Sequence, residues 1–65
     1  MSLAVDMENV AANSQTASNF SFQLLKLIRK ADRHNSELLR IAFPNAVKVS
    51  EAWFERGEII DLEYD

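Results

Sequence analysis

Residues Asn35–Gly57 read NSELLRIAFPNAVKVSEAWFERG and hold the chain's only tryptophan, only proline and only glycine. Ahead of Pro44, Leu38, Leu39, Ile41, Ala42 and Phe43 crowd a single short segment. Behind it, Ala46, Val49 and Trp53 fall at i, i+3 and i+7, the repeat of a helix with one apolar face. Proline disfavours helical geometry in the residue before it and suits the first position of a helix. The pattern predicts a short helix over Ser36–Phe43, a stop at Pro44, and a further helix over residues 45–56. Gly57 follows as a left-handed C-cap, a conformation that costs glycine nothing. Only Glu37 and Arg40 leave the first of these helices a polar side, so it is expected at the centre of a bundle or at a subunit interface.

Towards the N-terminus, Phe20, Leu24, Leu27, Ile28 and Ala31 share a face at helical spacing, which predicts a helix over residues 19–31. Ser18, Asn19 and Ser21 are candidate N-caps. Phe22 and Leu25 widen the apolar face and imply two packing neighbours. Lys26, Arg29, Lys30 and Arg33 lie on the other side, near the C-terminal end, where cations complement the helix dipole. Asp32 or Asn35 is suited to cap the following helix. Residues 1–18 read as a leader that divides near Asn13. Leu3, Met7, Val10 and Ala11 fit a helix, while Leu3, Val5 and Met7 alternate as a strand would; the residues from Asn13 read as a loop.

Beyond Gly57 the period changes. In EIIDLEYD, residues 58–65, Ile60, Leu62 and Tyr64 alternate with Asp61, Glu63 and Asp65. A lone strand is unstable, so this tail either frays or needs a partner. The partners on offer are the Leu3–Val5–Met7 alternation, the same tail in another subunit, or a sheet edge on a different protein.

At 65 residues the chain falls below the roughly 70–80 at which one core is comfortably self-sufficient. With no cysteine, it has neither disulfide nor thiolate metal site to compensate. Oligomerisation or docking on a larger protein is the remaining route. The expected fold is therefore all-α: a small three-helix bundle over residues 19–57, with the N-terminal segment as an alternative fourth helix and an extended acidic tail at 58–65, completed as an oligomer.

Net charge is −3, which argues against a general nucleic-acid binder. Its distribution is uneven: five of the seven basic residues lie between Lys26 and Arg40, while the chain from Glu51 onward is acidic apart from Arg56. Charge pairing on solvated faces is the simplest account. No segment reaches the length of a bilayer span, and the N-terminus lacks the pattern of a signal peptide. A cytoplasmic protein is expected.

The Val49–Glu58 run, VSEAWFERGE, resembles the end of a phage-repressor helix-turn-helix, in which a tryptophan precedes Glu-Arg-Gly. Phe54 is an insertion against that pattern, Glu51 and Glu55 would repel phosphates, and Pro44 stands where the turn usually has glycine. The pattern from Asn35 to Val47, N-x-x-L-L-R-x-A-F-P-x-x-V, followed by the aromatic Trp53, is similar to short helical proteins of bacterial phages and mobile elements that lack an assigned activity. That resemblance implies an origin and no mechanism.

No constellation for chemistry is present. His34 is the only histidine and has neither further metal ligands at helical spacing nor an oriented partner, so a solvent-facing or structural role is expected. There is no glycine-rich phosphate loop, and the serines sit in capping or linker contexts. No enzyme activity, metal or cofactor is expected. The leading expectation is a protein-binding module of adaptor or inhibitor type, engaging another protein through its apolar helix face and acidic tail. Phe54, Ile60, Leu62 and Tyr64 are its candidate contact residues. A small dimeric DNA-binding regulator using Lys26, Arg29, Lys30 and Arg33 is the alternative. A purely structural, self-associating subunit is the third.

Overall fold

The computed structural model describes residues 2–65. These form four helices: α1 (Leu3–Ala11), α2 (Phe20–Lys30), α3 (Arg33–Ala42) and α4 (Pro44–Arg56). The all-helical expectation holds, and the N-terminal segment forms the fourth helix offered as the alternative. α1 is not a leader: Leu3 and Met7 are fully buried with Leu24, Leu25, Ile28, Ala46, Val47 and Val49 in one core. Local propensity left the 3–11 segment balanced between helix and strand. Packing decides it, because helical spacing brings Leu3 and Met7 onto one face and lets both enter the core.

α2 lies between α1 and α4 and packs against both. This corrects the predicted face. Phe22, Leu24, Leu25 and Ile28 are buried, whereas Phe20 and Leu27 are exposed. Two neighbours pull the buried arc round the helix towards Phe22 and Leu25, so Phe20 and Leu27 fall on its outer margin.

α3 begins at Arg33, three residues ahead of the expected Ser36, because Asp32 caps it: Asn35 N–H donates to Asp32 Oδ1 at 2.8 Å. Of its two expected places, the centre of the bundle is overturned. α3 packs chiefly on α4 and contains no buried residue. Pro44 takes the first position of α4, and Gly57 ends that helix at φ 68°, ψ 25°, in the left-handed region.

α1 and α4 have no side-chain cap from their own N-cap residues, Ser2 and Phe43. The C-terminal segment supplies the missing acceptors. Leu62 C=O accepts from Leu3 N–H at 2.9 Å, next to an isolated antiparallel bridge between Ser2 and Glu63. The Asp65 carboxylate accepts from the N–H groups of Asn45 at 2.8 Å and Ala46 at 3.0 Å. Asn45 Nδ2 donates to Glu63 C=O at 3.1 Å. The tail thus lies across the N-terminal ends of two helices, satisfying backbone donors that helix geometry leaves orphaned. It does not pair with a Leu3–Val5–Met7 strand, since those residues are helical and only Ser2 is extended there.

Candidate protein-binding surface

α3 turns Ser36, Leu39, Arg40 and Phe43 towards the body of the molecule and Leu38 and Ile41 away from it. Arg40 donates to both oxygens of Glu51 on α4, at 3.0 and 2.8 Å. That bidentate contact holds the Glu51 carboxyl below its usual range, with burial opposing the shift, and raises Arg40. Together with Leu39 and Phe43, which pack on the core, it orients α3 on α4. Ile41 is 81 % exposed and Leu38 52 %.

α2 also carries exposed apolar residues. Phe20 is 69 % and Leu27 55 % exposed. The Phe20 ring lies against Phe43 with centroids 5.9 Å apart and planes at 53°. Leu27 and Leu39 line a groove of about 420 Å³ between α2 and α3, with Ala31 in its wall and Lys30, Asp32 and Asn35 at its rim. Scattered exposed leucines are ordinary, whereas large apolar side chains exposed on both sides of a groove are a candidate interaction surface.

The candidate contact residues named from sequence lie elsewhere. Phe54 is exposed on α4, beneath the Arg29 guanidinium at 4.7 Å from its ring centroid. Trp53, beside it, packs partly against the core. Ile60 and Leu62 are half-buried against the core, and Tyr64 is exposed along its ring. The Tyr64 hydroxyl donates to Asp6 Oδ2 at 2.7 Å, while Asn19 Nδ2 donates to Asp6 Oδ1 at 2.8 Å. Asp6 is buried, and these two donors satisfy it. The same hydrogen bond, aided by desolvation and the charge of Asp6, raises the Tyr64 phenol above its usual value. Leu38, Ile41 and Phe20 are not among the candidate contact residues, because periodicity left the α3 helix equally suited to the bundle centre and to an interface, and placed Phe20 on the buried stripe of α2.

Of the four cations, Lys26, Arg29 and Lys30 line one pocket, while Arg33 stands apart at the start of α3, 3.8 Å from Glu37. His34 is exposed. Among the described residues no group of three or more His, Cys, Asp or Glu could hold a metal, and no helix is long and apolar enough to cross a membrane. Comparison with protein-family models, with curated proteins and with solved structures finds no match.

Proposed function

We propose that this chain is a small non-enzymatic protein-binding module of adaptor or inhibitor type, acting in the cytoplasm through the apolar face of α2 and α3. One observation carries this reading: Phe20, Leu27, Leu38 and Ile41 stay in water although the core is complete without them. Covering such residues would release apolar surface worth about 25 cal/mol per Å². The acidic tail serves mainly to close the bundle, with Asp61 and Glu63 left exposed beside it. The same apolar face suits a second copy of the chain, which makes self-association the second reading. DNA regulation has less support, since Arg33 is separated from the other three cations. The similarity of Asn35–Trp53 to short phage and mobile-element proteins is the ground for a bacterial or phage origin.

The test compares the wild type with the Leu38→Gln/Ile41→Gln double variant as baits in a bacterial extract, read by quantitative mass spectrometry. A partner enriched by the wild type and lost with the variant, at unchanged circular dichroism, supports the module. Equal retention by both sinks it. Salt-sensitive DNA retention that disappears on neutralising Lys26, Arg29, Lys30 and Arg33 would favour the regulator instead.

A further inference from the structure

We propose that the pocket between the end of α1 and the outer side of α2 binds a phosphomonoester carried on a single apolar ring, either free or on a side chain of another protein. Val10 and Phe22 give the pocket apolar lining, and Asn13, Lys26, Arg29 and Lys30 give it polar lining. This site is separate from the α2–α3 groove, although Lys30 borders both.

The charges support an anion. Arg33, Arg40 and Arg56 each have a carboxylate partner within 4 Å. Lys26, Arg29, Lys30 and Lys48 have none among the described residues, and the first three border this pocket. Aromatic rings hold two of them instead: Lys26 Nζ lies 5.1 Å from the Phe22 ring centroid, and Arg29 lies over Phe54. Cation–π contacts of this kind position a cation without neutralising it. Three unneutralised cations around one pocket favour a phosphomonoester, which carries about −1.5 to −2 at neutral pH, over a monocarboxylate. Arginine adds a planar fork of donors matched to phosphate oxygens.

Size and lining narrow the class. The pocket measures about 250 Å³, just under the roughly 300–1,000 Å³ of common ligand sites. That admits one ring with its phosphate and is small for a nucleotide. Half-buried Val10 gives the ring an apolar contact, with Phe22 buried beneath Lys26 behind it, and free phosphate would leave that contact unused. Duplex DNA presents its phosphates along a rod and would call on cations spread along a face, whereas these three all border one pocket.

Phenyl phosphate titrated into the ¹⁵N-labelled full chain tests the assignment. Saturable shifts are expected at the amides of Val10, Asn13, Phe22, Lys26, Arg29 and Lys30. Binding should weaken about tenfold or more in Lys26→Gln/Lys30→Gln, and inorganic phosphate should bind about tenfold more weakly than phenyl phosphate. Arg29→Lys, which keeps the charge but loses the fork, is expected to lose severalfold and provides a second variant if the first misfolds. A phosphotyrosine peptide binding more tightly than phenyl phosphate would assign the source to a modified protein; equal binding would assign it to a free small molecule. Shifts that never saturate, affinity unchanged in both variants, or inorganic phosphate matching phenyl phosphate would each overturn the proposal.

Discussion

Leu25 and Leu27 stand two positions apart in α2, and their environments differ completely. Leu25 is fully buried between α1 and α4, whereas Leu27 lies on the margin facing the α2–α3 groove. Leu25→Ala is expected to cost about 2–5 kcal/mol and Leu27→Ala within about 0.5 kcal/mol, measured by chemical denaturation. Equal costs would mean that the helix is rotated. The sequence places Leu27 on the main stripe and Leu25 on its edge. Spacing shows that the apolar arc is wide, but only the positions of α1 and α4 determine which part is covered. Tyr64 allows a second check. Its phenol is raised, first by the hydrogen bond to Asp6, then by desolvation and the charge of Asp6. The folded state therefore prefers the neutral phenol. That contribution is fully present below the ordinary tyrosine pKa of about 10 and is lost as pH rises through the raised folded value. As pH rises past the ordinary tyrosine value of about 10, the wild type should lose more stability than Tyr64→Phe. Parallel curves for the two proteins would mean that the Tyr64–Asp6 contact does not form.

At the scale of elements, the tail and the starts of α1 and α4 depend on each other. Each helix lacks a side-chain cap from its own N-cap residue, and residues 62–65 provide the acceptors. Asp65→Ala is expected to cost about 0.5–2 kcal/mol, the range for losing a helix cap. Truncation after Gly57 should cost more, on the order of 3 kcal/mol, since it also uncovers core contacts of Ile60 and Leu62. Amide exchange should then rise first at Leu3, Asn45 and Ala46. Uniform protection in both proteins would place the tail off the bundle. Much of this level is legible in the sequence. Pro44 and Gly57 punctuate α4 as expected, Asp32 caps α3, and the period-two tail needs a partner. The identity of that partner was hidden because backbone donors at helix starts leave no trace in hydropathy. The place of α3 was hidden for a related reason: its apolar residues surround the helix, so their pattern gives no direction for burial.

At the scale of the whole molecule, the single chain already closes its core. Its radius of gyration is 10.6 Å, matching the roughly 10.7 Å expected of a folded chain of this length. α1 and the tail supply burial that a three-helix count leaves out: Leu3 and Met7 join the core, and Ile60 and Leu62 pack on it. On the proposed reading, association uses the uncovered faces of α2 and α3, where Phe20, Leu27, Leu38 and Ile41 are exposed. Folding and association should then be separable. Leu38→Lys/Ile41→Lys is expected to keep the thermal midpoint within a few degrees, since both residues are exposed, each surface change being worth about 0.5 kcal/mol or less. Light scattering across a concentration series reads the other half. If the chain self-associates, wild-type mass should rise with concentration while the double variant stays at one chain. A wild type that remains a single chain throughout would exclude the second copy and leave the surface to a different protein. A double variant that unfolds would contradict the peripheral position of α3, and with it the reading of this face as a binding surface.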